Sequence, residues 1–267
     1  MENNKNLLPL LIILALIAGV LIGFFYPRNT ENKVTENIQP VIVSDNPSVT
    51  VTTVSETNKP FTINAQYPQF TLVNSTFNAK IASLINTKIS DFKKNSEENL
   101  QAVKDTATAE NPAPDWTFYF KADWAPVQIN KNYISVVVNV YYFSGGAHGN
   151  TEVYTFNYDL AAKKEITFND FIGGSEDSLK KISKLAIDDI VSQRSGFGES
   201  ASSVKKELEE GGASPKIENF KNFTFDDENM TIYYDKYQVG PGAMGILKSS
   251  FNKSTLIQES IKSNYLK

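Results

Sequence analysis

The only histidine of the chain, His148, sits in the run Ser144-Gly145-Gly146-Ala147-His148-Gly149-Asn150. Histidine titrates near neutrality and is the side chain most often used as a general base, so any search for acid–base chemistry starts here. A hydrolytic triad would also need a nucleophile and an orienting carboxylate in fixed geometry. No G-x-S-x-G elbow is present, and with no cysteine in the chain a thiolate nucleophile is excluded. His148 therefore reads as an exposed contact on a loop, with no residue assigned a catalytic role. Glycines at 145, 146 and 149 permit positive φ and close backbone approach. The loop is longer than a two-residue hairpin turn, so it is expected to project beyond its strands.

Other chemistry-bearing residues are weaker candidates. Asp123 and Asp159 could form a glycosidase-like pair, but a separation in space is not readable from the sequence. Asp226-Asp227-Glu228-Asn229 looks like a calcium loop, yet it lacks the spaced ligands and trailing glutamate of one; a solvated turn is the plainer reading. Glu207, Glu209 and Glu210 read as a solvated helix face. One histidine, no cysteine and scattered carboxylates predict no metal site, and no cofactor motif occurs. Tyr233-Tyr234-x-x-Tyr237, followed by Gln238-Val239-Gly240-Pro241-Gly242, offers rigid amphipathic contact area suited to an interface or a sugar. The alternative is that these tyrosines pack in a core and the Gly-Pro-Gly run merely turns the chain. The binding set is Ser144, Gly145, Gly146, His148, Tyr237, Gly240 and Pro241.

These residues must be positioned by a mixed set of elements. Phe61–Phe70 is strand-like but interrupted by Pro68. Phe77, Ile81, Leu84, Ile85, Ile89 and Phe92 recur at helical spacing, with Asn74, Ser75 or Thr76 as the cap and an end near Val103. Trp116–Phe120, Tyr133–Phe143 and Thr151–Tyr158 alternate as strands and make an antiparallel meander. Ser175–Arg194 is a second amphipathic helix, and Val204–Glu210 a short exposed one ending at Gly211-Gly212. A hairpin follows, Asn219–Phe225 with Met230–Val239, then a strand at Ile246–Phe251 and a helix at Leu256–Tyr265. The fold class predicted is α+β: antiparallel sheets with two main amphipathic helices packed on them, preceded by one transmembrane helix, with a subdivision near residue 172.

Leu7–Tyr26 is twenty residues without a charge. At ~1.5 Å per residue such a helix spans about 30 Å, the hydrocarbon thickness of a bilayer. Pro9 falls in the first turn, where proline is tolerated, and no A-x-A cleavage site follows. The organisation expected is a stub at 1–6, a signal anchor at 7–26, a tether at 27–58 and an external domain at 59–267. The alternating VTVTTV within the tether could instead be an edge strand. The whole chain carries a net charge of −4; Met1–Arg28 holds Glu2, Lys5 and Arg28, a net of +1, so the remainder is −5. Without a basic stripe, nucleic acid is an unsuitable partner.

Several blocks together carry a family resemblance. They are the GGAHG tip, Asn157-Tyr158-Asp159 and Thr167-x-x-Asp170-Phe171. To these are added Tyr67-Pro68-Gln69-Phe70 with Ile85-Asn86, and Tyr237-Gln238-Val239-Gly240-Pro241 with Ala243 and Gly245. In order and spacing they resemble a bacterial extracellular domain family of unknown function. Its members include the outer domain of the lysozyme-sensing anti-sigma factor RsiV and the domain beside the catalytic domain of the peptidoglycan deacetylase PdaC. Gly242 departs from the pattern, where the family usually has an aromatic residue. The resemblance implies the fold and a cell-envelope setting, not a reaction. The reading is a non-catalytic, membrane-anchored binding domain facing outward, its ligand a lysozyme-like muramidase or peptidoglycan. The alternatives are an envelope glycan-modifying enzyme or a structural spacer. A deep cleft lined by a carboxylate pair would favour the enzyme; an exposed aromatic ridge beside the GGAHG tip would favour the binder.

Overall fold

The structure is a computed structural model that describes residues 39–41 and 47–266. The expected anchor at 7–26 lies outside the described residues, and among those described no helix is long and apolar enough to cross a membrane.

Seven strands form one sheet in chain order: β1 (Gln39–Val41), β2 (Val49–Glu56), β3 (Phe61–Phe70), β4 (Phe118–Ile129), β5 (Tyr133–Phe143), β6 (Asn150–Asp159) and β7 (Lys164–Glu165). Val49–Glu56 is thus a strand, as the alternation allows, and it pairs with β3 along its whole length. The sequence predicts antiparallel sheets, but this sheet is mixed. β3 and β4 run parallel from Phe61↔Phe118 to Ala65↔Ala122. The reason is the long helix α1 (Ser75–Thr106), which carries the chain back so that β4 starts at the same end as β3. Pro68 does not interrupt β3. The parallel pairing with β4 stops at Ala65, so at Pro68 the strand is paired only with β2, at Val51.

Asn74 caps α1, its Oδ1 accepting from Phe77 N at 2.9 Å. Phe77, Ile81, Ile85 and Phe92 point from this helix onto one face of the sheet, against Phe118, Phe120, Ile134, Val136, Val138 and Phe156. That is the first core. The second lies on other elements: α2 (Phe168–Phe171), α3 (Glu176–Ser195), α4 (Ala201–Glu210), a three-stranded antiparallel sheet of β8 (Phe223–Phe225), β9 (Asn229–Tyr233) and β10 (Lys248–Asn252), and α5 (Lys253–Gln258). Phe168, Phe171, Phe223 and Phe225 form an aromatic cluster at its centre.

Side chains on the second face of β5 and β6 weld the two cores. Thr155 Oγ1 accepts from Phe223 N at 3.0 Å, Asn157 Nδ2 donates to Phe223 O at 2.8 Å, and Ser135 Oγ accepts from Phe225 N at 3.0 Å while donating to Asn157 Oδ1 at 2.7 Å. These buried groups supply β8 with the partners that a neighbouring strand would otherwise provide. Gln128 Nε2 donates to Asp227 Oδ1 at 2.7 Å, tying β4 to the β8–β9 turn.

Candidate functional site

Only part of the second sheet face is covered in this way. Residues directly opposite one another in a ladder share a face. Ser135, Asn157 and Thr155 lie under β8, but further along the strands the same face is open. There Tyr119 opposes Phe143, Lys121 opposes Tyr141, and Asp123 opposes Asn139. Tyr119 and Tyr141 are 49% and 44% exposed, high values for large aromatic rings in mid-sheet. Polar groups frame them: Lys121 Nζ lies 2.8 Å from Asp123 Oδ2, and Asn139 Nδ2 donates to Asp123 Oδ1 at 3.1 Å. The result is a ridge of rings with hydrogen-bonding groups alongside.

The GGAHG tip closes one end of this ridge. It is not a free-hanging loop. Asn99 of α1 donates to Ser144 O at 2.8 Å. Gly145 has φ +105° and lies over Trp116; a Cβ there would come within 3.0 Å of the indole ring. Gly149 lies against the Tyr141 hydroxyl, where a Cβ would be only 2.4 Å from the oxygen. A side chain at 149 would push Tyr141 away, which is the physical reason for glycine there. Gly146, Ala147 and His148 remain exposed, and His148 Nδ1 is 2.9 Å from Gly149 O.

From the ridge, Tyr141 pairs with Thr151 on β6. Thr151 also lines a groove of about 380 Å³, with Asn150, Glu152 and Tyr154 on one side and Lys221, Asp235, Lys236 and Tyr237 on the other. The base of the tip and the Tyr237 loop therefore line one groove. Tyr237 is 65% exposed and has φ +69°, a left-handed conformation unusual for a tyrosine. Its ring lies over Gly242, where a Cβ would sit 2.4 Å from it. The departure from the family pattern at Gly242 thus makes room for the Tyr237 ring. The rest of the loop is architectural. Gln238 Nε2 donates to Gly212 O and Asn219 O, each at 2.8 Å, and Val239 is buried with its carbonyl bound by Arg194. Gly240 faces Leu247 and Arg194, and Pro241 precedes a 3₁₀ turn at Gly242–Met244; neither is brought to the groove lining. Of the other tyrosines, Tyr234 is fully buried, the core alternative considered for this cluster.

The groove floor holds a dense polar network. Glu152 takes an ion pair from Lys88 Nζ at 2.7 Å and hydrogen bonds from the hydroxyls of Tyr142, at 3.1 Å, and Tyr154. Asn150 Nδ2 donates to the Tyr142 hydroxyl at 2.9 Å. Burial alone would raise the Glu152 carboxyl, but the donors from Lys88, Tyr154 and Tyr142 outweigh it and hold it below its ordinary value. Burial, then the hydrogen bond to Glu152, pushes Tyr154 up to about 12. Burial opposes the charge on Lys88, yet its bonds to Glu152 and Tyr154 raise it above the ordinary lysine value.

A larger cleft, about 560 Å³, continues past Tyr154 and Lys221 between α1 and β8. Its lining includes Lys80 and Glu165, which pair with each other, and no cluster of carboxylates. Asp123 and Asp159 do not form a pair. Asp123 opposes Asn139, which opposes Val153, and Asp159 lies 159 − 153 = 6 residues further along β6. At ~3.3 Å per residue that is about 20 Å, well beyond glycosidase separations of ~5–9.5 Å. Asp226 caps its own turn, accepting from Glu228 N and Asn229 N at 2.8 and 2.7 Å. Among the described residues no group of three or more potential ligands could hold a metal ion.

Comparison with known proteins matches two successive stretches of the chain. Residues 54–151 match the family model Deacetylase PdaC, and residues 169–252 match that of a Protein of unknown function, DUF3298. The chain is thus similar to PdaC over one stretch and to DUF3298 over the next. The first supplies β3, α1, β4, β5, the ridge and most of the tip; the second supplies α3, α4, β8–β10 and the Tyr237 loop. Over 258 residues, 96% of this chain, it is 26% identical to the peptidoglycan-N-acetylmuramic acid deacetylase PdaC of Bacillus subtilis. Over 122 residues, 46% of the chain, it is 26% identical to an esterase of Mycobacterium tuberculosis. The chain spans about half the length of these curated relatives, 50% of each. Two solved DUF3298 proteins overlay at a TM-score of 0.48. One, from Bacteroides fragilis, is 16% identical with 85% of this chain and 94% of that one covered; the other, from Pseudomonas aeruginosa, is 12% identical with 87% and 96% covered.

The groove draws on both matched stretches. Asn150 and Thr151 end the PdaC match, while Lys221 to Tyr237 fall in the DUF3298 match. Tyr119 and Tyr141, which line the ridge, were not in the sequence-derived binding set. Their signal was present: each sits at an outward position of an alternating strand whose inward positions are apolar.

Proposed function

We propose that the chain is a non-catalytic envelope domain that binds the glycan of peptidoglycan. The observation that carries this reading is the exposed ridge of Tyr119 and Tyr141 beside the GGAHG tip, framed by Lys121, Asp123 and Asn139. A pyranose ring has an apolar C–H face and a rim of hydroxyls. Aromatic faces flanked by amide, ammonium and carboxylate groups complement both at once. The rings are held by sheet registry and by Gly149, so little rotamer freedom is lost on binding. The similarity to a peptidoglycan-N-acetylmuramic acid deacetylase supports an envelope ligand. In this reading the uncharged run 7–26 anchors the domain in the membrane, facing outward.

The test is calorimetry of the full chain with chitotetraose and with peptidoglycan fragments. Binding is expected, weakened about tenfold, or ~1.4 kcal/mol, by Tyr119→Ala and by Tyr141→Ala. Unchanged affinity in both variants would remove the ridge from the account. Binding only to a basic lysozyme, and to no glycan, would replace the ligand with a protein. Acetate release from peptidoglycan by the purified chain, abolished by one carboxylate substitution, would make it an enzyme.

A further inference from the structure

Beside the ridge, on the far side of Thr151, the groove has a charge balance of its own. The Glu152 carboxylate is neutralised by Lys88, at 2.7 Å. Asp235 is neutralised by Lys221, at 2.8 Å. Lys236 remains, and it has no carboxylate partner among the described residues. Its Nζ lies 5.3 Å from the centroid of the Tyr237 ring, a cation–π contact that parks the ammonium at the groove while leaving it donors for a ligand. In a chain of net charge −4, the groove lining holds Glu152 and Asp235 against Lys221 and Lys236, and because Lys88 outside the lining pairs with Glu152, the Lys236 ammonium is left over beside an exposed aromatic ring.

The ring itself is fixed. Tyr237 holds a left-handed backbone and packs on Gly242, and Asp235 N donates to Gln238 Oε1 at 2.9 Å, closing the turn around it. Strain of this kind, over-determined by its surroundings, collects at ligand sites. Opposite it, Glu152 and Tyr154 line the groove and are hydrogen-bonded to each other.

Resting on the glycan-binding reading above, we propose that this groove is a carboxylate-recognition subsite of the same ligand surface. Lys236 pairs with a ligand carboxylate, and Tyr237 packs on the carbon skeleton that bears it. A glycan strand lying on Tyr119 and Tyr141 would cross Thr151 to reach it, so the carboxylate belongs to a substituent of the glycan: a lactyl ether on the sugar or a residue of an attached peptide. The binding energy comes from a charge-assisted hydrogen bond in a partly enclosed site, so it is screened by salt.

Three probes separate the possibilities, each titrated into the full chain and its Lys236→Met variant: chitotetraose, which has no carboxylate; a muramic-acid-containing disaccharide without peptide; and the same disaccharide with its stem peptide. The expected result is a loss of about tenfold for carboxylate-bearing probes in Lys236→Met, with chitotetraose unchanged. The stem-peptide probe carries its lactyl carboxyl as an amide, so a loss with the peptide-free probe alone assigns the lactyl carboxylate, a loss with the peptide-bearing probe alone assigns a peptide carboxylate, and a loss with both shows that Lys236 takes either. Wild-type affinity for the carboxylate probes should also fall as salt rises, whereas that for chitotetraose should not. Tyr141-sensitive chitotetraose binding with no effect of Lys236→Met on any probe would overturn the subsite and leave the ridge standing. Failure of all three probes to bind the wild type would overturn both.

Discussion

Glu152 is the residue whose environment most constrains its chemistry. An ammonium and two hydroxyls converge on one half-buried carboxylate, so its charged form is favoured in the folded state. Its folded pKa lies below the ordinary 4.5, so its contribution to stability is complete above that value and is lost as pH falls through the folded value. Tyr154 behaves oppositely. Its folded pKa of about 12 exceeds the ordinary 10, so its contribution is present below pH 10 and is lost as pH rises from 10 towards 12. Urea titrations across both windows should show stability falling at each end. Glu152→Gln should flatten the acid limb and weaken the alkaline one; an unchanged pH profile would mean the network contributes nothing. His148 stands in contrast, exposed and bonded to its own neighbour's carbonyl. His148→Ala is expected to leave the melting temperature within about 1–2 °C, as an exposed loop substitution should. It should also leave any turnover of peptidoglycan by the preparation unchanged; a loss of several orders of magnitude with the fold intact would give His148 a catalytic role.

Among the elements, β6 is the joint of the molecule. Its Asn157-Tyr158-Asp159 motif is explained by three separate structural tasks. Asn157 bridges to β8, the Tyr158 hydroxyl accepts from Asn74 N at the start of α1, and Asp159 Oδ1 accepts from Ala162 N in the following turn. Thr167 and Asp170 form a reciprocal capping box on α2, and Phe171 enters the second core. The residues that make the family recognisable thus mostly hold its fold, which is why they announce architecture and not a reaction. Asn157→Ala removes a buried donor and acceptor at once and is expected to cost about 1–3 kcal/mol, measured by denaturant unfolding. A cost near zero would mean the two cores are held by apolar packing alone. Helix α1, with its Asn74 cap, and β5 were legible because their periodicity is strong and uninterrupted. The full length of β4 was not. Lys121, Asp123 and Pro126 break its apolar pattern, since they lie on the open face and at a bulge, and a strand with one face in water shows only half its signal. The hairpin strands β8 and β9 are shorter than their apolar runs. The preceding Ile217–Phe220 forms a 3₁₀ turn, and Tyr234 leaves the strand to enter the core.

At the scale of the whole molecule, two distinct cores share one sheet face, part covered and part open. The parallel β3–β4 pair was illegible because direction depends on which way α1 crosses, and hydrophobic spacing is the same either way. The tip and the Tyr237 loop were legible as candidate contacts through their glycines and aromatics. That Tyr119 and Tyr141 join them follows only from the register, which brings β4, β5 and β6 into line. The central claim is that this open face binds a glycan, and its most direct measurement is calorimetry of the full chain with peptidoglycan fragments against the Tyr119→Ala/Tyr141→Ala double variant. The account predicts measurable heat with the wild type and a loss of at least about tenfold in the double variant, with the melting temperature preserved. Equal affinity in the two proteins would contradict it.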